Sequence, residues 1–473
     1  MKRKDFEIIL RLVADVLYAF GFFLLVPFGL ALFRGEQSLA WVFGAEAASM
    51  ILGCGLARRF LSSQSGQQRH AAIALALMWT FLGLLSFVPF LVQGLTFADA
   101  LFESFSAWTD TGLTMVPDPA ELPLSLGTFR ILIQWISGLG IVILMLFLYG
   151  PASRSAYSLF RAEGRTEGFS TSIWHMGRTI LLIYVGYTLV GFLALWALGL
   201  APYEALMHAI TSLSTGGFST NSVGVGLYGA MPTIVALVLM LCGGISFGSH
   251  YELLRGNWRG FLRNPEIRIL LAITVGGSGL LMLEHWLIEG RFGDRILSSV
   301  FYTVGALSTC GAGTVVPLSK TPDVVVFTVM LFMISGAAYG STTGALKLWR
   351  LLIVAKIIGR EIKRPFYPEQ TVLPILVGGV RIHGKTVIEV SAYVLLYVTI
   401  AIGGSLLFML SGHSVLDSLF TVFSAQGNVG LNAMPDGLYY GMHPLLKVQL
   451  VLHMLIGRME ILPLLYLVRG IRE

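Results

Sequence analysis

Four short apolar segments of this chain align with one another without a gap, and each ends on a glycine. They are "ADALFESFSAWTDTG" (98–112), "YEALMHAITSLSTGG" (203–217), "LSSVFYTVGALSTCG" (297–311) and "LDSLFTVFSAQGNVG" (416–430). Thirteen residues before the glycine stand Asp99, Glu204, Ser298 and Asp417, all suited to a helix cap or first turn. Ten before it stand Phe102, Met207, Phe301 and Phe420, all large and apolar, and six before it Ser106, Thr211, Gly305 and Ser424, all small. A longer apolar run precedes and follows each segment, and the later run carries a glycine about 26 residues on: Gly138, Gly243, Gly336 and Gly457. The repeating unit is therefore span, half-span helix, polar turn, span, used four times.

The chain is 55% apolar and only 12% charged, too little charge to cover a soluble protein of 473 residues. About 20 apolar residues cross a bilayer as a helix. Ten candidate spans follow, at 7–32, 40–58, 71–95, 128–150, 177–200, 231–250, 268–288, 324–346, 387–411 and 445–468. The expected fold is an all-α polytopic membrane protein, with four pseudo-symmetric span–pore helix–filter turn–span repeats around a central pore and two further N-terminal transmembrane helices. The expected divisions are the extra helices at 1–70, repeats at 71–155, 156–262 and 263–358, a cytoplasmic loop at 359–386, and the fourth repeat at 387–473. The basic start lacks a small-residue cleavage site after its apolar part, so it reads as a retained first helix.

The net charge of +6 reflects topology and not nucleic-acid binding. Basic residues gather before the first span (Lys2, Arg3, Lys4) and in alternate loops: Arg58, Arg59 and Arg69; Arg154, Arg161, Arg165 and Arg178; Arg255, Arg259, Arg263 and Arg268. The stretch from Lys347 to Lys385, then Arg469 and Arg472, continue the series. The positive-inside rule puts these loops and both termini in the cytoplasm. Cys54, Cys242 and Cys310 have neither zinc spacing nor a disulfide framework.

A short helix that stops midway through a bilayer must lead into backbone that is buried in protein or lines water. Four such turns around one axis would offer rings of carbonyls that replace the hydration shell of a desolvated cation. Glycine suits the turn because it accepts conformations closed to other residues and leaves the path open.

The segments "TDTGL", "STGGF", "STCGA" and "GNVGL" resemble the four filter segments of the Trk/Ktr/HKT potassium transporters. The two leading spans resemble the TrkH-type membrane subunit, as do "QWISGLGIVIL" (134–144), "SGAAYGSTTGALKLWR" (335–350) and "GRMEI" (457–461). The resemblance implies potassium uptake across the cell (inner) membrane, a homodimer, and a cytoplasmic RCK-type, TrkA-like nucleotide-binding regulatory ring. It implies potassium as the substrate and no covalent cofactor or catalytic residue; coupling to protons or sodium stays open. A glycine in each filter segment is associated in the family with potassium preference, and here all four are glycine. The expected ion ligands are carbonyls of Asp110, Thr111 and Gly112; Thr215, Gly216 and Gly217; Thr309, Cys310 and Gly311; and Asn428, Val429 and Gly430.

Asp110 is the one carboxylate in these segments and departs from the family's threonine-rich pattern. Two readings are open: a charge at the outer mouth that concentrates cations, or an acceptor that holds the turn in shape. In the third repeat, Gly336, Ala337, Ala338, Tyr339, Gly340, Ser341, Thr342, Thr343 and Gly344 interrupt the second span. By resemblance this is the intramembrane gating loop; the alternative is a small-residue packing face. Arg458 and Glu460 lie within the last span, where a charge normally faces a partner or water. Arg458 is the candidate barrier to cations at the gate, and a simple Arg458–Glu460 packing pair is the alternative.

The stretch "GVRIHGKT" (379–386) fits the P-loop pattern, but the next helix is a membrane span and no nucleotide-sized domain surrounds it. A short cytoplasmic hairpin bent at Gly378 and Gly379, available for docking a partner ring, is the better reading. His250 and Glu252 lack the two-histidine spacing of a metal site. The rival classes are an inverted-repeat secondary transporter for another cation or solute, and an intramembrane enzyme, for which no nucleophile–base constellation is visible.

Overall fold

The computed structural model describes residues 3–61, 68–149, 173–290, 293, 295–313 and 316–459. Almost all of the regular structure is helical, and the repeat unit appears four times in it. The half-span helices are Phe97–Trp108, Pro202–Ser214, Arg295–Ser308 and Val415–Gln426. Their preceding spans are Gln68–Leu85 with Val88–Val92, Ile173–Ala197, Pro265–Glu289 and Gly384–Leu410. Their following spans are Leu124–Tyr149, Ala230–Gly244, Asp323–Ser335 and Pro444–Met459. Arg3–Phe23 with Leu25–Arg34, and Gln37–Ala48 continuing to Phe60, form the additional N-terminal pair.

Among the described residues, five helices are long and apolar enough to cross a membrane. The run expected as a straight span at 231–250 is instead broken at Ile245 and Ser246, where Ala230–Gly244 and Phe247–Leu254 bend by 106°. Ile245 is extended at that point and Ser246 caps the new helix through the Ser249 amide, so the chain turns by starting a second helix. The run expected at 324–346 ends as a helix at Ser335, and the run at 71–95 breaks at Ser86 and Phe87. The last span is described only as far as Met459.

Local chemistry accounts for the half-span helices. Thr96 and Ser414 cap the first and fourth by accepting from the amides of Asp99 and Asp417, and their hydroxyls donate to those carboxylates at 2.6 and 2.7 Å. Asp99, Glu204 and Asp417 thus lie in first turns, where a carboxylate favours the positive end of the helix dipole. The large apolar position of the repeat points into the protein: Phe102, Phe301 and Phe420 are fully buried and Met207 nearly so.

The repeats close a ring. Each half-span helix packs against the second span of the repeat before it, and the first packs against Pro444–Met459 of the fourth. The N-terminal pair buttresses the first repeat, with Phe20 and Trp108 edge to face at 4.7 Å. Outward positions such as Phe33, Trp41 and Leu410 are exposed apolar side chains, as a lipid-facing surface requires.

Strands Leu376–Val377 and Val380–Arg381 form an antiparallel hairpin whose bend is Gly378 and Gly379, both at positive φ. Gly384 and Lys385 of the P-loop-like stretch open the long helix Gly384–Leu410, so the hairpin reading describes that segment.

Candidate functional site

The four turns share one backbone form. Asp110, Thr215, Thr309 and Asn428, each two residues before the repeat glycine, have φ of 57°, 63°, 53° and 51°. These left-handed residues end each half-span helix. The next amide in each repeat returns to the helix: Thr111 to Ser106 O, Gly216 to Thr211 O, Cys310 to Gly305 O and Val429 to Ser424 O, at 2.8–3.0 Å. Ser106 and Ser424 add a second tie by donating to Leu113 O and Leu431 O across the turn. Helix C-termini carry partial negative charge, so four converging ends favour a cation between them.

The glycines explain themselves by what lies beside them. A Cβ on Gly112 would run into Gly216 O; one on Gly217 would lie 2.5 Å from Gly311 N; one on Gly311 would lie 2.5 Å from Gly430 C; one on Gly430 would run into Thr111 O. Each turn thus meets the next around a complete circle, at distances that real Cβ atoms do not tolerate. Gly112, Gly217 and Gly430 also have positive φ (87°, 82° and 86°), whereas Gly311 does not and is constrained by space alone. Above the ring lies a cavity of about 200 Å³, lined by these four glycines and by Arg130, Tyr302, Tyr439 and Tyr440 among others.

The later glycines of the repeat lie behind the turns. A Cβ on Gly138 would lie 3.2 Å from Asp110 Oδ2; on Gly243, 2.7 Å from Thr215 Cγ2; on Gly457, 2.8 Å from Asn428 Oδ1. They let the spans approach the left-handed residue of each turn. Gly336 breaks the pattern: its φ is 62°, and it begins the interruption of the third repeat.

That interruption, from Gly336 to Lys347, is buried directly against the turns. Thr342 Oγ1 lies 3.0 Å from Thr215 Oγ1, and the Gly344 amide donates to Thr309 Oγ1 at 2.9 Å. The amides of Ala338 and Thr342 donate to Gly244 O and Gly243 O, and the Tyr339 amide to Glu266 Oε1. Ser341 and Thr343 hydroxyls are 2.8 Å apart, and Gly340 O accepts from the Phe247 amide beyond the bend. The loop's polar groups are thus met by side chains and backbone of other elements, as irregular chain at membrane depth requires.

Arg458 joins loop and turn. Its Nη1 donates to Thr342 O at 3.1 Å, and its Nη2 donates to Ser137 O at 2.7 Å and lies 3.5 Å from Asp110 Oδ2. Glu460 lies outside the described residues. Asp110 is buried and does not line the cavity above the ring, which corrects the outer-mouth reading. The turn-holding reading is incomplete as well, since the partner of this carboxylate is a guanidinium on the opposite side of the sequence.

Other site residues differ in surroundings. Gly216 O accepts from Gln134 Nε2 at 2.7 Å, so this carbonyl already has one partner. Asn428 Nδ2 donates to Thr111 Oγ1 and Met454 O, tying the fourth turn to the first. The Cys310 thiol is buried facing Thr211 O at 4.0 Å. Sequence reasoning missed the buried pair Glu103–Arg130, at 3.1 Å, beside the cavity. Glu103 also accepts from Thr114 and the Met115 amide, and Arg130 stacks 4.0 Å over Phe218. The available signal was a second carboxylate, mid-helix and beyond the capping turn, in a half-span helix.

Four half-span helices whose turns meet in a closed ring define the class as a helical membrane protein built on four re-entrant turns. The family model described as TrkH, cation transport protein, matches residues 47–471, and this chain belongs to that family of ion transporters. It is not an enzyme. An uncharacterized cation transporter of Methanocaldococcus jannaschii is 28% identical over 99% of this chain and 96% of its own length. The Trk system potassium uptake protein TrkH of Vibrio parahaemolyticus is 28% identical, with 98% of each chain covered. The crystal structure of the potassium transporter TrkH from Vibrio parahaemolyticus superposes with a TM-score of 0.84 at 25% identity, covering 97% of this chain and 98% of that one.

Proposed function

We propose that this chain translocates potassium into the cell through the ring of Gly112, Gly217, Gly311 and Gly430. The closed contact of the four turns is the observation that carries the reading. Relatives described as potassium uptake proteins, similar over nearly the whole chain, support the choice of ion. Potassium would shed water at the carbonyls of residues 110–112, 215–217, 309–311 and 428–430, pass Arg458, and leave when the loop 336–344 moves aside. Helix dipoles and carbonyls supply the binding, and weak multi-site contact lets the ion leave.

In this reading the protein lies in the cell inner membrane with both termini cytoplasmic. It acts as a homodimer under an RCK-type nucleotide-binding ring supplied by another chain, with the hairpin region as a docking face. The test is potassium and sodium flux into proteoliposomes holding the purified protein, with and without the ring. Potassium flux exceeding sodium flux is expected. Equal flux of both ions, or none even with the ring present, overturns the proposal.

A further inference from the structure

We propose that Asp110 is a positioning residue for Arg458: it holds and neutralises the guanidinium against the first repeat, so that loop movement leaves the arginine beside the filter and not free in the ion path. The inference rests on the pore reading above, which uses only the backbone carbonyl of Asp110, and adds a role for its side chain.

The carboxylate sits in a socket that two glycines make. A Cβ on Gly138 would lie 3.2 Å from Asp110 Oδ2, and one on Gly216 would run into Oδ1. The side chain therefore lies behind the ring, between the first repeat's following span, Leu124–Tyr149, and the second turn. Arg458 reaches the same place with Nη2, which donates to Ser137 O at 2.7 Å and Ser137 Oγ at 3.0 Å and lies 3.5 Å from Asp110 Oδ2. Its other terminal nitrogen, Nη1, donates to Thr342 O of the loop at 3.1 Å. The fork is thus divided between fixed wall and interrupted segment, and only one of its four partner atoms belongs to the loop.

The pair is incompletely bonded. Among the described residues, Asp110 Oδ1 and Arg458 Nε are buried and have no hydrogen-bond partner. When the loop withdraws Thr342 O, the guanidinium can turn to the wall and form a two-bond fork with the carboxylate, the favoured arrangement for arginine and carboxylate. A buried arginine without a partner would repel the cation that the four helix ends attract. Paired, the site below the turns carries no net charge.

The test compares cation flux into proteoliposomes for the intact protein, D110N, R458Q and D110N/R458Q. Asparagine keeps the left-handed backbone, as Asn428 at φ 51° shows in this chain, so D110N removes charge with little strain. D110N is expected to lower flux on the order of tenfold with potassium-over-sodium preference retained, because an uncompensated charge raises the barrier for either ion. The double variant is expected to regain the flux of R458Q. A D110N protein that cannot be purified while D110N/R458Q can gives the same answer, since only the unpaired charge separates them. Loss of ion preference in D110N, a double variant no better than D110N, or a D110N equal to the intact protein overturns the proposal. Absence of flux in the intact protein, by contrast, would sink the pore reading itself.

Discussion

Thr342 Oγ1 and Thr215 Oγ1 stand 3.0 Å apart, so the interrupted segment of the third repeat touches the second repeat's turn directly. The Gly344 amide makes a matching contact to Thr309 Oγ1 of the third turn. The loop is therefore bonded to the ring it lies under, and its resting position depends on small side chains.

Gly344→Ala tests that position. A Cβ there would run into Gly427 O, so the loop cannot keep its seat against the fourth turn. Rubidium influx into proteoliposomes holding this chain alone is expected to rise on the order of tenfold, equivalent to about 1.4 kcal/mol off the barrier. Unchanged influx would remove the loop as the gate.

Gly112→Ser tests the ring. The added atoms would meet Gly216 O and distort the first two turns together. Potassium-over-sodium preference in flux assays should fall by about tenfold or more, since carbonyl rings discriminate by number and position of ligands. A preserved preference would remove Gly112 from the filter.

Glu103→Gln tests the buried pair beside the cavity. Breaking a buried ion pair by removing one partner destabilises by roughly 3–5 kcal/mol, because the other charge is left unpaired. Arg130 would keep Thr114 and Phe218 but lose its carboxylate. Thermal unfolding in detergent should shift down for Glu103→Gln, and the shift should largely disappear in Glu103→Gln/Arg130→Gln. An unshifted transition in the single variant would mean that the Glu103–Arg130 pair does not hold the fold.

Lys385→Ala tests the P-loop-like stretch. Lys385 is exposed near the start of Gly384–Leu410 and pairs only loosely with Glu389, at 3.8 Å. The intact chain alone should bind no ATP in equilibrium dialysis, and the variant should conduct as the intact chain does. Measurable ATP binding abolished by the variant would reverse the assignment.

The sequence by itself determined the all-α membrane class, the fourfold spacing, the interruption after Ser335 and the hairpin at Gly378 and Gly379, but not which apolar runs stay unbroken. Each of these is a local or periodic signal: apolar length, an aligned glycine, a run of small polar residues, a turn pair. Tertiary structure alone decided how the repeats meet. Asp110 and Arg458 are 348 positions apart and face each other because the fourth repeat closes against the first. Gly138, Gly243 and Gly457 were legible as a repeated spacing, but their reason, close approach to the back of each turn, appears only when the spans are packed. The bend at Ile245 and the pairing of Glu103 with Arg130 were hidden likewise. Hydropathy records which groups leave water; it does not record which partner a buried polar group finds, and that depends on the closure of the ring.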